Sequence, residues 1–325
     1  MTTSTGTSGR ASACRMVCCG TRGATGVVYD PLTGLTHRTD DPTLAGRTAL
    51  AEEGIAALPE VHPGELGDTT PVSVCWSPIV RCNLACPHCL DDKIVPEPGR
   101  GERAKVATRI ASSGVLGVDV SGGEPLLIRA LPTLLDALVD GGCAVSVTTN
   151  GTHLSRRAEA LARCVDAIRV SLDGPDPQRH DRWRGEGSFA KAVSGIRAAI
   201  AHGIPTQIQT VLMRSTTAGL PAMVELADRL GVHGVTVLQY LPFGEGAPLA
   251  ATEQVPDDEA LDLIAALAPT PVPVRLRTRA DAAGFTVVRA DGQVWRNMPD
   301  TSAIAALRPL AGPTSLAVTG RDGSA

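Results

Sequence analysis

Three cysteines lie close together in the segment RCNLACPHCL, at Cys82, Cys86 and Cys89. A structural zinc site uses four ligands, usually as two separate pairs, and the sequence contains no second Cys-x2-Cys pair. A [4Fe–4S] cluster is normally held by four thiolates, so three thiolates leave one iron open to a small molecule. The spacing therefore favours an iron–sulfur cluster. Zinc with a remote fourth ligand such as His88, and a chance grouping of cysteines, are the alternatives.

Short polar turns follow several β-branched runs further along the chain, in VSGGEP, TTNGT and RVSLDGP. Two adjacent glycines let a backbone approach a ligand closely, and a carboxylate directly after them supplies charge. In RVSLDGP the two polar side chains are two residues apart and share one face of a strand. Each turn taken alone suits ordinary loop structure as well as binding. The candidate binding residues in these turns are Gly122, Gly123, Glu124, Asn150, Ser171 and Asp173.

Strand-like and helix-like runs alternate from residue 71 onwards, and these turns lie at the ends of the strand-like runs. The predicted strands are Val72–Trp76, Val115–Val120, Ala144–Thr148, Ala167–Ser171, Thr206–Leu212 and Val235–Tyr240. The predicted helices are Glu102–Ser112, Leu131–Val139, Ser155–Cys164, Phe189–Ala201 and Leu220–Leu230. Such a series predicts an α/β fold with parallel strands joined by right-handed crossovers. A partial (β/α)6 TIM-like barrel carries its chemistry at the carboxyl ends of the strands, and a flat doubly wound sheet is the alternative.

The segments on either side of this core give weaker signals. Residues 1–20 are rich in Ser, Thr and Gly and are predicted to be disordered, before a hairpin of Val27–Tyr29 with Leu35–Thr39. Helical spacing predicts a helix over residues 43–58. We therefore divide the chain into an N-terminal extension (1–70), a core barrel (71–250) and a C-terminal extension (251–325).

The C-terminal extension begins with a predicted helix in PDDEALDLIAALA. A hairpin is predicted next, from Phe285–Ala290 through the turn Asp291-Gly292 to Val294–Arg296. Residues 310–325 are predicted to be a loose tail.

The composition excludes several classes of protein. With 43% apolar and 20% charged residues the chain is not a disordered polypeptide, and no apolar run approaches the roughly 18 residues of a membrane span. A net charge of −4 and 2% aromatic residues argue against a nucleic-acid surface. The first ten residues lack the apolar core of a secretory signal. We therefore expect a cytoplasmic protein with reduced thiols and no membrane or nucleic-acid partner.

Six of the nine cysteines lie outside the cluster. Cys75, Cys143 and Cys164 are predicted to be core thiols, since a small apolar residue packs well beside β-branched runs. The N-terminal thiols Cys14, Cys18 and Cys19 are predicted to be reactive or incidental groups in a flexible tail, with membership of a second cluster as the alternative.

The cysteine spacing, together with the GGE, TTNGT and VSLDG turns, resembles the radical S-adenosylmethionine (SAM) superfamily from about Val72 to Ala247. The resemblance implies that the three clustered cysteines bind a [4Fe–4S] cluster, whose open iron is chelated by the methionyl amine and carboxylate of SAM. It also implies that the backbone at His88 approaches the adenine, and that the GGE turn holds the methionyl ammonium. The contacts implied for the ribose and carboxylate of SAM are Asn150, Ser171 and Asp173.

Two further segments resemble the peptide- and cofactor-maturase branch of that superfamily, whose members usually carry a SPASM or twitch extension. These are HDRWRGEGSF and LQYLPFGEGAP. The resemblance implies that Arg182, Trp183 and Arg184 line a substrate opening, with a solvated basic loop as the alternative. No cysteine follows Cys164, so no auxiliary cluster is predicted, and VVRADGQVWRN resembles a degenerate remnant of the extension.

The resemblance implies reductive cleavage of SAM, which gives a radical that abstracts hydrogen from a ribosomal peptide or a specialised metabolite. An external one-electron reductant, similar to a flavodoxin or ferredoxin, is the implied partner. The alternative is a non-catalytic iron–sulfur or zinc protein that serves in electron transfer. The series of polar turns favours the enzyme, because an electron carrier has no need to hold SAM. The sequence assigns no catalytic residue.

Overall fold

The computed structural model describes residues 14–66, 70–91, 93–267, 269–282, 285–297, 304 and 307–316. The strands are β1 Cys14–Arg22, β2 Thr25–Asp30, β3 Leu35–Thr39, β4 Gly46–Ala51, β5 Ser73–Trp76, β6 Gly117–Val120, β7 Ala144–Thr149, β8 Ala167–Ser171, β9 Thr206–Leu212, β10 Val235–Gln239, β11 Val274–Arg277, β12 Thr286–Val288, β13 Gln293–Arg296 and β14 Arg308–Pro309. The helices are α1 Glu52–Ala56, α2 Arg100–Ala111, α3 Leu131–Asp140, α4 Ala158–Leu161, α5 Pro177–Arg184, α6 Ser188–Ala201, α7 Leu220–Leu230, α8 Ala250–Glu253 and α9 Asp257–Ala265.

The central sheet confirms the six predicted strands. Strands β5 to β10 lie side by side in chain order, and every neighbouring pair is parallel. Strand β11 adds to β10 and strand β12 adds to β5, both in parallel, so the run of parallel strands extends beyond the prediction at each edge. The later strands β13 and β14 continue the sheet in antiparallel pairs.

Alternation along each strand separates an apolar outer face from a polar inner face. Val118 and Val120 are fully buried in the core cluster against the helices, and Asp119 between them faces the opposite side. The guanidinium of Arg277 in β11 lies 5.2 Å from the centre of the Phe285 ring, directly before β12. Because β11 and β12 lie at opposite edges of the parallel run, this contact requires a curled, TIM-like sheet with an interior space, here called the lumen.

The N-terminal segment is ordered from Cys14 onwards, so the prediction of disorder is wrong for residues 14–20; residues 1–13 lie outside the described residues. Strand β1 occupies an inner position in an antiparallel sheet of order β3-β2-β1-β4. Cys18 and Cys19 are 2% and 3% exposed, and burial raises the pKa of Cys19 to about 11. They are packed thiols and not groups in a flexible tail. Cys14 alone of the three is exposed.

The predicted helix over residues 43–58 is wrong for most of its length. Residues Gly46–Ala51 form β4 and only Glu52–Ala56 are helical. Strand β4 pairs with β1 from Cys14 opposite Ala51 to Cys19 opposite Gly46. Pairing with a neighbouring strand overrides the helical preference that alanine gives this segment. The hairpin of β2 and β3 is confirmed.

The N-terminal sheet covers the amino ends of the parallel strands. The Tyr29 ring lies over Gly117 at the start of β6, where a Cβ atom would fall 1.9 Å from the ring. Arg169 of β8 donates to the Leu32 carbonyl at 3.0 Å and to the Pro31 carbonyl. Arg22 donates to the Gly114 carbonyl at 3.0 Å. These contacts close the base of the lumen.

Helix α5 was not predicted, although its start has a clear signal. Pro177 occupies the first turn, where a missing N–H costs nothing, and the Asp176 carboxylate accepts from the Arg179 amide at 2.9 Å. The predicted helix Ser155–Cys164 is reduced to a 3-10 turn and the short α4. The other four predicted core helices are confirmed within a few residues.

The C-terminal helix α9 and the hairpin of β12 and β13 are confirmed. The prediction of a loose tail is wrong at residues 310–316, because Leu310 and Leu316 are buried against the core; residues 317–325 lie outside the described residues. Among the described residues, no helix has the length and apolar character needed to cross a membrane.

Candidate functional site

The three clustered cysteines lie in the loop between β5 and α2, at the carboxyl edge of the parallel sheet. All three thiols are partly exposed. Burial raises the pKa of Cys86 and of Cys89, so these thiols keep their protons at neutral pH until a metal displaces them. No three His, Cys, Asp or Glu side chains in the part of the chain that the structure describes gather closely enough for one metal ion.

The turn after β7 holds the cysteine loop through Asn150. Its Nδ2 donates to Cys82 Sγ at 3.7 Å and to Asn83 Oδ1 at 3.1 Å. Asn83 in turn donates to Thr152 Oγ1 at 2.9 Å. Hydrogen bonds to a ligating sulfur are one of the means by which a protein adjusts an iron–sulfur cluster. The predicted site residue Asn150 is therefore placed against the cysteine loop, and Asn83 is a partner that the sequence analysis missed.

The GGE turn after β6 packs directly on the cysteine loop. The Gly123 amide donates to the Ile79 carbonyl and the Glu124 amide to the Arg81 carbonyl, both at 2.9 Å. A Cβ atom on Gly123 would fall 2.2 Å from the Arg81 carbonyl oxygen. Gly122 has a φ of 104°, which L side chains rarely adopt. Both glycines are thus required by close backbone approach.

Glu124 joins this turn to the turn after β7. Its buried carboxylate accepts from Leu126 N at 2.9 Å, Thr149 Oγ1 at 2.7 Å and Asn150 N at 2.9 Å. Burial raises the pKa of Glu124, while these donors favour the carboxylate and oppose the rise. Glu124, Asn150 and Cys82 consequently form one connected network across three loops.

Substitution of Gly123 by alanine is expected to disrupt the cysteine loop, because backbone carbonyls on that loop leave no room for a methyl group. We expect loss of most bound iron after anaerobic reconstitution, measured as iron per chain. The matched control is Gly101→Ala, since a Cβ there meets nothing within 4 Å. Equal iron content in the two variants would contradict the prediction.

Asp173 follows β8 and is the centre of a buried ionic group. Its Oδ1 accepts from the Val211 amide at 2.9 Å, and its Oδ2 contacts His88 Nε2 at 3.0 Å and Arg184 Nε. Although burial opposes the charged carboxylate, the charges of Arg184 and then His88 hold the pKa of Asp173 well below its usual range. The side chain of Asp173 is therefore fully engaged within the protein.

The predicted substrate-lining residues of α5 have different environments. Arg182 is exposed, whereas Trp183 is 8% exposed and packs edge-on against His88 with ring centres 5.6 Å apart. Arg184 is directed towards the site, where its charge lowers the pKa of Cys86 against the stronger effect of burial. Arg184 thus places a fixed cation beside the cysteine thiols.

His180, also on α5, was missed by the sequence analysis and stabilises the loop after β8. Its Nδ1 accepts from the Asp173 amide at 3.1 Å. Burial, and then the charge of Arg184, lower the pKa of His180 to about 4. This nitrogen can accept only while the ring is neutral.

The stability of the protein is therefore expected to depend on His180 in mildly acidic solution. The unfolded chain binds a proton at about pH 6.5, and the folded chain resists it down to about pH 4. The free energy of unfolding should fall by about 3 kcal/mol as the pH falls through this window. Urea titrations at several pH values measure the slope, and a His180→Gln variant should lose this part of it. An unchanged slope in that variant would refute the assignment.

Ser171 ends β8 on the same edge of the sheet and is partly exposed. The structure thus brings the predicted residues Gly122, Gly123, Glu124, Asn150, Ser171, Asp173 and His88 to the edge that carries the three cysteines. Their contacts with SAM stay predictions.

Comparisons with known proteins agree with this arrangement. Residues 76–227 match the Radical SAM superfamily. A GTP 3',8-cyclase of Erythrobacter litoralis (strain HTCC2594) is 33% identical over 176 residues, 51% of this chain and 53% of the relative. The mycofactocin maturase MftC of Mycobacterium ulcerans (strain Agy99) is 30% identical over 190 residues, 56% of this chain and 51% of the relative. The chain spans about half the length of the curated relatives it matches.

Solved structures support the fold. Streptococcus suis SuiB bound to S-adenosylmethionine superimposes with a TM-score of 0.56 at 15% identity, over 71% of this chain and 60% of SuiB. Native anSMEcpe with bound AdoMet gives a TM-score of 0.51 at 16% identity, over 71% of this chain and 79% of anSMEcpe. These matches confirm the TIM-like α/β fold over the flat doubly wound alternative. Residues 76–227 therefore match a radical SAM domain, and over this segment the chain is similar to the Radical SAM superfamily.

Proposed function

We propose that this protein reductively cleaves SAM at a [4Fe–4S] cluster and abstracts hydrogen from a ribosomal peptide or a specialised metabolite. The cluster and SAM are the cofactors of the superfamily that residues 76–227 match. The observation that carries the proposal is the hydrogen-bonded network from Cys82 through Asn150 to Glu124. An electron carrier needs the cysteine loop but has no use for two further turns built against it.

The residues of the loop fit a cluster better than a zinc ion. Cys82, Cys86 and Cys89 would hold three irons and leave the fourth open. Among the described residues no three His, Cys, Asp or Glu side chains gather closely enough for a single zinc ion, and the cation of Arg184 offsets the negative charge of thiolates. When bound, the cluster and SAM supply a 5'-deoxyadenosyl radical, which removes a hydrogen atom from an unactivated carbon.

The surrounding residues would hold SAM in place. The backbone at Gly122 and Gly123 packs closely on the cysteine loop, and Glu124 fixes this turn against the turn that carries Asn150. His88 Nδ1 is buried with no hydrogen-bond partner among the described residues, which fits a ligand beside this loop. We assign Ser171 to the ribose. Asp173 acts as a positioning residue for His88 and Arg184, because its own oxygens are occupied.

A peptide substrate is supported by the names of related proteins. MftC is a mycofactocin maturase, SuiB has been solved with the precursor peptide SuiA, and anSMEcpe has been solved with the Cp18Cys peptide. We extend this substrate class to the present chain. The electron would come from a flavodoxin- or ferredoxin-like protein in the cytoplasm.

Anaerobic reconstitution with iron and sulfide, followed by dithionite and SAM, tests the proposal. We expect 5'-deoxyadenosine by chromatography and a change in the EPR signal of the reduced cluster on adding SAM. If protein that holds the full complement of iron gave no 5'-deoxyadenosine and no spectral change, the enzyme proposal would be overturned in favour of the electron-transfer alternative.

A further inference from the structure

The inner face of the curled sheet is polar, unlike the packed interior of an ordinary barrel. In a closed barrel, bulky branched side chains fill this space. Here the inward-facing positions are Cys75, Asp119, Thr148, Arg169, Ser171, Gln209 and Arg277. Most of them keep partial exposure although they face the interior, and the Asp119 side chain is 21% exposed. The lumen is thus an open, polar space.

Three arginines and one aspartate give this space an excess of positive charge. Arg169 pairs with Asp119 at 2.9 Å. Arg275 and Arg277 share one face of β11, because Val274 and Leu276 pack on the apolar core on the other face. Arg275 is directed to the base of the lumen, where it donates to the Thr33 carbonyl at 3.2 Å.

Arg277 lies nearer the open end and has no anionic partner. Its guanidinium rests over the Phe285 ring, and in the part of the chain that the structure describes it makes no ion pair or hydrogen bond. Burial, and then the charges of Arg275 and Arg169, lower the pKa of Arg277. An arginine keeps its proton in such surroundings, and Asp119, the carboxylate that acts on Arg277, is already paired with Arg169.

Arg277 lies at the same carboxyl edge of the sheet as the loop that carries the three cluster cysteines. It is the last residue of β11, opposite Leu238 near the end of β10, and so lies at the carboxyl end of the strands. The charge of Arg277 acts on Cys75, which lies on the inner face of β5 one residue before the end of that strand. The loop that follows β5 carries the three cluster cysteines. A ligand group at Arg277 would therefore lie in the lumen below the predicted SAM site.

We propose that the lumen contains an anion-binding site centred on Arg277, which takes a carboxylate or phosphate group of the substrate. The inference rests on the proposed function, since it assigns a substrate contact to that site. A planar guanidinium with free donors suits either group, because both accept two parallel hydrogen bonds. Contact with the Phe285 ring involves no oxygen acceptor, so it leaves the N–H donors of Arg277 for a ligand.

Calorimetric titration of reconstituted, SAM-saturated protein with inorganic phosphate and, separately, with acetate tests the site. SAM is included so that its own carboxylate already occupies the predicted SAM site, where the added anion could otherwise bind. We expect the wild-type protein to bind at least one anion, and the anion that binds identifies the substrate group. Arg277→Gln should bind it at least tenfold more weakly, because a charge-assisted hydrogen bond is lost. Arg277→Lys keeps the charge without the planar guanidinium, so its affinity for the anion should lie between those of the wild-type protein and Arg277→Gln.

Arg229→Gln is the matched control, because Arg229 is exposed on α7 and pairs only with Glu225 at 3.7 Å. Melting temperatures establish that each variant is folded. Failure of both anions to bind the wild-type protein would overturn the site, as would equal binding by Arg277→Gln or an equal loss in Arg229→Gln. Formation of 5'-deoxyadenosine by the wild-type protein is measured separately, so that failure of the anion site and failure of SAM cleavage are distinguished.

Discussion

Replacement of Cys86 by alanine is expected to abolish the iron–sulfur cluster and, with it, all formation of 5'-deoxyadenosine. Cys86 is the middle thiol of the loop, and the charges of Cys82 and Cys89 both act on it. Two thiolates cannot hold a cluster that normally takes four. We expect iron per chain to fall from about four to the background of the assay. The reconstituted variant should also lose its reduced-cluster EPR signal.

Cys14→Ala is the control for this experiment, because Cys14 carries an exposed thiol on β1 and lies outside the cysteine loop. It should retain full iron and full SAM cleavage. Full iron in the Cys86 variant would show that the loop is not the ligand set. Loss of iron in the Cys14 variant would restore the alternative that the N-terminal thiols bind a second cluster.

Replacement of Asp173 by asparagine is expected to cause the largest loss of stability among single changes at the site. The carboxylate is fully buried, and its removal leaves the charge of Arg184, a side chain that is 12% exposed, without its partner. Breaking one side of a buried ion pair costs about 3–5 kcal/mol. The free energy of unfolding, from urea titration at neutral pH, should fall by that amount. Asp228→Asn, at an exposed position on α7, should change it by less than about 0.5 kcal/mol.

A second variant separates the ion pair from general damage. In Asp173→Asn with Arg184→Gln neither charge is left unpaired, so the double variant should be more stable than Asp173→Asn alone. An additive loss would show that the two side chains do not act as a pair. The low pKa of Asp173 also sets the sign of its pH dependence. Its contribution is complete above the ordinary pKa of an aspartate and is lost only as strong acid protonates the folded form.

The sequence predicted the parallel core because strand period and crossover length are local properties. Val118 and Val120 alternate with Asp119, and such runs identify β6 without reference to the rest of the chain. Strand β4 was mistaken for a helix, since its alanines favour a helix locally and only its pairing with β1 overrides that preference. Strand β1 was not predicted either, because its pairing with a strand on each side stabilises it and cannot be read from its own sequence.

The sequence was sufficient to predict the cluster ligands, but not the side-chain contacts that hold the site together. The spacing of Cys82, Cys86 and Cys89 is a local pattern, whereas the pair of Arg184 with Asp173 joins residues of two elements across an 11-residue separation. The Asp176-Pro177 start of α5 was a readable signal, and it would have placed Arg184, already predicted to line a substrate opening, at the end of a helix. Arg277 carried no signal, because its role follows only from the curl of the sheet.

The sealed base of the barrel has a kinetic consequence. Tyr29 over Gly117, with Arg169 bound to the Leu32 carbonyl, blocks passage at the amino ends of the strands. A molecule that binds in the lumen must then pass the same opening that admits SAM. SAM and a ligand at Arg277 therefore share one route into and out of the lumen. We expect bound SAM to slow both the entry and the release of an anion at Arg277, which stopped-flow measurements with and without SAM would show.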